Sequence, residues 1–474
     1  MRFAYLAMAL FLVGCCCPLR KQSIEVPAPA VEKALDQVHK KLSENPEPRL
    51  FAGAAMVDIT TDLARQGRIY LGGFDMGRRN KGVRDPVYAH VLYLDDGRDL
   101  LVIVSLDLIG LMNDDIREIR VMASDQHQDR IVIASTHDHV GPDAIGYWGP
   151  ALFGYLPLCP GTVPEYMAAM KRLAAHAIDQ AALSARPARI RVATGTVDPS
   201  LSLNIHPEIR TQKDDLLRVL AVEDASDGRP IAVLANFGCH AEAMWDDEQL
   251  SADWPGVFYE RLAKEVGGVP IFVQGAVGGL VTVNPGDEKM RLEPEIMDVF
   301  NKHMSREERL ALRDRVGNAF YEAVRTMIGS AKEAFGPEGV SLSVAFAPIE
   351  LEQHNWVFDY MGKRGLIRRE TTYKGRTAIL HSDVIAARIR ASGRILLDIA
   401  TIPGEPSPPL VADLDASSPA EVRITISLGN DEIGYILREA DWPLPYYEYE
   451  RTMSLGPGTG TVISKAIAAI RAGL

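Results

Sequence analysis

The strongest constraint in this chain is a repeated alternation of short, β-branched apolar runs with longer stretches of helical character. The runs at 100–105 (LLVIVS), 130–135 (RIVIAS), 230–237 (PIAVLANF), 394–401 (RILLDIAT) and 423–427 (RITIS) are too short for helices and read as buried strands. Two more strands are expected at 216–223 and 269–274, and helices over 116–128, 164–184, 257–266 and 305–334. Such alternation predicts an α/β fold, a mixed sheet with flanking helices. With 47% hydrophobic residues the chain can bury a large core. Residues 335–339 are the best internal seam, but polar motifs on both sides of it point to one integrated domain over 50–474.

Those motifs lie just past strands, at the carboxyl ends where α/β proteins build their sites. Thr136-His137-Asp138-His139 follows the strand at 130–135. In extended backbone, residues two apart face the same side, so His137 and His139 are expected to converge. Two solvated loop histidines are the plainer explanation of the pair alone. Cys239-His240 follows the strand at 230–237, with Ser251-Ala252-Asp253 downstream. A lone histidine at a strand end is as often structural, and Cys239, facing the other way, reads as packed core. Ile402-Pro403-Gly404-Glu405-Pro406 surrounds one carboxylate with rigid backbone, a composition that a plain turn also has. Gly429-Asn430-Asp431-Glu432-Ile433-Gly434-Tyr435 brings a tyrosine that by itself would be an amphipathic core residue. Together the four motifs suggest a metal-assisted hydrolase.

In this order, T-H-x-H-x-G-P, a histidine with S-x-D downstream, P-G-E and G-N-D-x-x-G-Y resemble the neutral ceramidases. These are zinc-dependent amidases that cleave the N-acyl bond of ceramide. The resemblance extends to 53–60, 82–89 and 446–448, and so covers roughly residues 51 to 460. It implies a catalytic domain of neutral-ceramidase type that holds Zn2+ through His137, His240, Glu405 and Tyr435. It further implies His139 as general base toward the attacking water, and Tyr447 as hydrogen-bond donor to the scissile amide oxygen. The chemistry is coherent: zinc accepts N and O ligands, and an imidazole near neutrality can take a proton and pass it to a leaving amine.

The chain departs from the family where substrate is gripped. The family's G-D-x-S-P segment, whose serine lines the active site, corresponds to 273–282 (VQGAVGGLVT), which has neither Asp nor Ser. Thr282 is the nearest hydroxyl, and the glycines there would admit close backbone approach to a substrate. The family's N-x-x-R segment is altered to Leu203-Asn204-Ile205-His206-Pro207, with Arg210 further on. Thr282 and His206 are therefore the candidate replacements for the missing Ser and Arg. A β-sandwich domain that some family members append is not expected here.

The amino terminus addresses the protein. Met1-Arg2, the apolar stretch 3–13 and Gly14-Cys15 read as a signal peptide too short to span a bilayer. Residues 12–15 (LVGC) resemble a bacterial lipobox, which implies a signal peptide over 1–14, lipidation of Cys15 and a lipidated tether over 15–49. An ordinary secretory signal is the alternative. The expected location is the bacterial outer membrane, reached by export. Cys159 and Cys239 remain in the body, and their pairing is open.

The net charge is −12, and no basic run carries interleaved aromatics, so nucleic acid is not an expected partner. The expected partners are a small lipid-like amide and, through the lipid on Cys15, a membrane. The expected function is zinc-dependent hydrolysis of an N-acyl amide such as ceramide. Two alternatives stay open: a zinc hydrolase of another amide or ester, and a catalytically silent lipid- or metal-binding lipoprotein.

Overall fold

The structure, a computed structural model, describes residues 49–124, 127–154, 156–286, 289–290, 296–331 and 333–474. The expected signal peptide, Cys15 and all of the tether but Arg49 lie outside the described residues.

Eight strands form the larger sheet: β1 (Phe51–Asp58), β2 (Tyr88–Asp95), β3 (Leu100–Leu106), β4 (Ile131–Ser135), β5 (Arg186–Thr196), β6 (Leu216–Asp224), β7 (Pro230–Phe237) and β8 (Val269–Gln274). Their spatial order is β8-β7-β6-β5-β1-β2-β3-β4. The sheet is mixed: β3 and β4 are parallel, as are β7 and β8, and the other pairs are antiparallel. A second mixed sheet holds β9 (Val340–Gln353), β10 (Thr371–Lys374), β11 (Thr377–Ala391), β12 (Arg394–Thr401) and β13 (Val422–Ile426). It runs β9-β11-β12-β13, with β10 beside β11.

Alternate residues explain how the sheets stack. Val91, Tyr93, Val102 and Val104 face a core filled by the helices Pro164–Leu183, Asp253–Glu265 and Arg306–Ser330. Their neighbours Leu92, Leu94, Leu101 and Ile103 face a second core, shared with Ile385, Ile389, Ile399 and Ile424 of the other sheet. Beyond that sheet, Val384 and Ala400 pack on the helices Pro408–Ala416 and Thr459–Ala472. The result is four layers: helices, sheet, sheet, helices. Strands covered on both faces need continuous apolar runs, as β3 and β4 have.

The α/β class and mixed sheet are as the sequence implied, but the second sheet was not legible as a separate layer. The helix expected at 116–128 is instead Asn113–Met122. Its first turn is fixed by Asp431, whose Oδ1 accepts from the Asn113 amide at 3.0 Å. It stops where the Ser124 amide and hydroxyl both donate to Asp179. Neither partner is local, so no local pattern could set those bounds. The seam at 335–339 is strapped to the large sheet: Phe335 exchanges two backbone hydrogen bonds with Ile190, and Pro337 O accepts from the Leu50 amide.

Among the described residues, the strand ladder between the halves β1–β4 and β5–β8 is short: Phe51 and Ala52 pair with Pro187 and Arg186. The far edges come together again: Ser105 Oγ donates to Phe272 O, and Gln274 Nε2 to Thr136 O. The ends of β4 and β7 are thereby neighbours.

One buried ion pair ties the Asn113–Met122 helix to β11. Arg120 binds Asp383 in bidentate fashion at 2.9 and 3.2 Å, and Asn113 Nδ2 donates to the same carboxylate at 2.9 Å. Asp383→Ala leaves the guanidinium charge buried without its partner and should cost about 3–5 kcal/mol of stability. Urea unfolding reads this as a lower midpoint; an unchanged midpoint would show that water or a neighbour replaces the carboxylate.

Candidate metal centre

Four strand ends from both sheets meet at one point. The chain leaves β4 into Thr136–His139, β7 into Cys239–His240, β12 into Glu405 and β13 into the loop that ends at Tyr435. The first two loops pair with each other, Asp138 bridging Ala241, and the His139 amide donates to Ala241 O at 3.0 Å. Glu405-Pro406 and Tyr435-Ile436 form a short parallel pair in which Glu405 stands opposite Tyr435. Gln274, at the end of β8, holds the group together. Its Nε2 donates to Thr136 O and Cys239 O, each at 2.8 Å, and its Oε1 accepts from the Cys239 amide at 3.3 Å. Its backbone O takes the Ser427 amide at 3.0 Å.

His137 and His139 do face one cavity, but not through extended backbone, because His137 has φ 60°. Leu280, Leu428 and Asn430, in the other loops around the site, are likewise left-handed, at φ 57°, 49° and 72°. Such conformations cost free energy in residues with a Cβ and persist where surrounding contacts impose them.

The donor set suits a cation. His137 Nε2 and His240 Nε2 lie 3.4 and 3.3 Å from the same oxygen, Glu405 Oε2. The edge of a tetrahedron with zinc-ligand bonds of about 2.0–2.1 Å is about 3.3–3.4 Å. Both rings pair Nδ1 with a backbone carbonyl, Ile109 O and Val281 O, each at 2.7 Å. Donation there fixes the tautomer that leaves Nε2 with its lone pair, as metal-binding histidines require. His240 Nε2 and Glu405 Oε2 are buried with no hydrogen-bond partner in the protein. Donor atoms of His137, His139 and His240 also lie within 4.8 Å of one another, so His139 reaches the same point.

The electrostatics agree. Burial would raise the Glu405 carboxyl, but the neighbouring His137 and His240 imidazoles outweigh it and hold the group well below the carboxylate range. Burial likewise works against a proton on His240, yet Glu242 and Glu405 raise it to about 9. The junction therefore favours positive charge, whether a proton or a metal ion. His139 is the opposite case: burial and the two neighbouring imidazoles push it well below its ordinary value, so it stays neutral and able to accept a proton. Glu242 Oε2 stands 3.4 Å from His139 Nδ1. The buried Arg78 donates to His139 O, Gly72 O, Trp245 O and Asp247 O, and so frames the loop from behind.

The remaining sequence candidates fall in two places. Tyr435 lines the cavity with His137, His139 and Glu405. Tyr447 is buried one layer away, its hydroxyl donating to Gln212 at 3.1 Å. Tyr449 instead lines the cavity, edge-on to Tyr435 with ring centroids 5.9 Å apart. His206 pairs with buried Glu450 at 2.6 Å, and its ring packs against Tyr447. Thr282 is buried in a short strand paired with 202–204. The glycines at 275–279 serve packing: a Cβ on Gly278 would stand 2.3 Å from Glu405 O. Cys159 and Cys239 form no disulfide. Tyr449, Glu242, Gln274 and Glu432, a second cavity-lining carboxyl, were not singled out from sequence. The E of C-H-A-E and the last Y of Y-Y-E-Y were the signals on offer.

No family model matches the chain, and no curated protein sequence does. Solved structures do. The neutral ceramidase from Pseudomonas aeruginosa superposes with a TM-score of 0.69 at 14% identity, over 90% of this chain and 74% of that one. A ceramidase complexed with C2 superposes with a TM-score of 0.65 at 15% identity, over 90% of this chain and 76% of that one. The fold is that of a divergent neutral-ceramidase-like domain.

Gln274→Glu replaces a donor facing two carbonyls with an acceptor and should loosen the ends of β4 and β7 at once. The expected outcome is a loss of about 1–3 kcal/mol together with weaker metal retention during dialysis against a chelator. Metal retention equal to that of the parent would separate the clamp from the site.

Proposed function

We propose that the protein is a zinc-dependent hydrolase that cleaves the N-acyl bond of ceramide or a related lipid amide. The observation that carries this reading is the shared oxygen, with the Nε2 atoms of His240 and His137 at 3.3 and 3.4 Å from Glu405 Oε2. His137, His240 and Glu405 would hold the ion, with Tyr435 as the fourth group. When bound, zinc supplies Lewis acidity, lowering the pKa of water to about 7 and polarising a carbonyl.

The chain's own residues supply the rest. His139 takes the proton of the attacking water and returns it to the leaving amine, and burial keeps it in the accepting form. A phenol donates to the amide oxygen as charge develops there. Tyr447 fills this role once its hydroxyl leaves Gln212, and Tyr449, already at the cavity, is the second candidate. Met112, Ile145, Phe358, Met361, Met453 and Leu455 give the cavity an apolar wall suited to an acyl chain. Exposed Trp356 and Val357 belong to the helix that contributes Phe358 and Met361.

A second reading, a different amide or an ester, is favoured by the glycine turn at 275–279, which packs on Glu405 where the family resemblance leads one to expect a substrate-facing serine. A silent binder has no use for a neutral imidazole held beside the junction, so that alternative is the weaker one. Export and attachment through a diacylated Cys15 are proposed from the sequence alone; among the described residues no helix is long and apolar enough to cross a membrane.

The test uses the chain from Pro18 onward. Zinc per chain is measured, then amine release from a short-acyl fluorescent ceramide with and without chelator. One zinc and chelator-sensitive cleavage are expected, and zinc without cleavage moves the substrate to other amides or esters. Glu405→Ala and His240→Ala should lose the ion while the fold survives; full occupancy in both sinks the ligand assignment. His139→Ala should keep zinc and lose about 10²–10⁴ in kcat, and undiminished turnover would remove it from the proton-transfer role.

A further inference from the structure

One carboxyl in the cavity has no use in the chemistry above. Glu432 stands in the loop between β13 and Tyr435, and its side chain lies against Gly110, where a Cβ would sit 2.9 Å from its Cγ. Its Oε1 is anchored by the Gly434 amide at 2.8 Å. Its Oε2 is buried and accepts no hydrogen bond from the protein. The nearest guanidinium is committed elsewhere: Arg369 spends its charge on Asp431 at 3.1 and 3.3 Å and meets only the backbone O of Glu432. One oxygen is thus fixed by backbone while the other is presented, unpartnered, at the wall of a cavity that also holds Glu405, His137 and His139. Burial and the charge of Glu405 favour a proton on this carboxyl, and a polar ligand group that partners its free oxygen recovers the cost of leaving that oxygen buried and unpaired. A site built this way rejects an analogue that lacks the donor far more strongly than it rejects one methylene too many.

We propose that Glu432 is the residue by which this cavity selects its ligand, accepting a hydrogen bond from a hydroxyl or ammonium carried on the aliphatic body of the substrate. The inference rests on the cavity being the substrate site, and it deepens that reading: the amide's partner group is a hydroxyl- or amine-bearing chain, not a plain alkyl chain. Glu432 is a specificity residue that leaves the ion and the proton transfers to others.

Three octanoyl amides of matched size test this: those of ethanolamine, ethylenediamine and propylamine, which place a hydroxyl, an ammonium or a methyl at one position. A fourth, the propylamide of 2-hydroxyoctanoic acid, moves the donor to the acyl side. Dissociation constants are measured by calorimetry on zinc-loaded protein carrying His139→Ala, so that ligands stay uncleaved, alone and combined with Glu432→Leu or Glu432→Gln. At least one donor-bearing amide should bind roughly 10–100-fold more tightly than the methyl analogue, and the arm that does so names the donor and its side. Glu432→Leu should bring that ratio to near unity by weakening the donor-bearing ligand, and Glu432→Gln should keep part of it. A preference that survives Glu432→Leu, or no preference in the parent, overturns the proposal. Should the leucine variant fail to fold, the glutamine variant, nearly identical in shape, carries the comparison. Turnover is not measured, so absence of cleavage elsewhere would sink the amidase reading while leaving this selectivity standing.

Discussion

The site depends on one buried amide. Gln274 uses both Nε2 hydrogens and its Oε1 to hold the ends of β4 and β7, and its backbone receives Ser427 beyond β13. A donor and an acceptor on one short side chain can satisfy loops that the sheets' own ladders no longer reach. Without such a link, Thr136 O and Cys239 O would be buried acceptors without partners, a costly state. The two histidine loops would then be left with their Asp138–Ala241 bridge and with Arg78, which reaches both His139 O and Trp245 O. Glutamine is suited to this where glutamate is not, because two of its three partners here are carbonyls.

The bent sheet explains why the clamp is possible. A flat eight-stranded sheet would put β4 and β8 at opposite edges, about 34 Å apart at a strand spacing of about 4.8 Å. Because β1 and β5 share only two paired positions, the halves fold toward each other and the edges meet. The second sheet then closes the site from its other side, since β12 and β13 run parallel and deliver Glu405 and Tyr435 from the same end. The left-handed residues at His137, Leu280, Leu428 and Asn430 fall where chain must leave a strand and turn at once into the site. Asn430 is itself pinned, its Oδ1 accepting from the Ile133 amide at 3.0 Å, so the loop after β13 is registered against β4.

Much of this was legible in the sequence because strand runs and the motifs past them are local. The strands at 100–105, 230–237, 269–274 and 394–401 lie within a residue of where the apolar runs put them. His137, His240, Glu405 and Tyr435 each stand in a short motif past such a run, and the family resemblance of those motifs is what named them together; Tyr435 alone carried no signal. What local pattern could not carry was contact across hundreds of residues. The start of the Asn113–Met122 helix is set by Asp431, and the neighbour of His139 is Glu242. The division of the strands into two stacked sheets was hidden for a different reason. A strand covered by helices on one side and by a sheet on the other is apolar throughout, and so is one covered by helices on both sides.

The two tyrosines near the carboxyl end illustrate the limit of motif matching. Tyr447 and Tyr449 are two residues apart, so a shift of that size in matching Y-Y-E-Y to a family pattern exchanges one for the other. Packing distinguishes them where spacing does not. Tyr447 is enclosed with Gln212, His206 and the glycine turn, and its hydroxyl already has an acceptor. Tyr449 opens on the cavity, beside the ring of Tyr435. A donor meant for a transient oxyanion works best when it is not already spent in the resting site. On that argument Tyr449 has the better position and Tyr447 the better motif. Rearrangement at Gln212 is the event on which the choice between them turns.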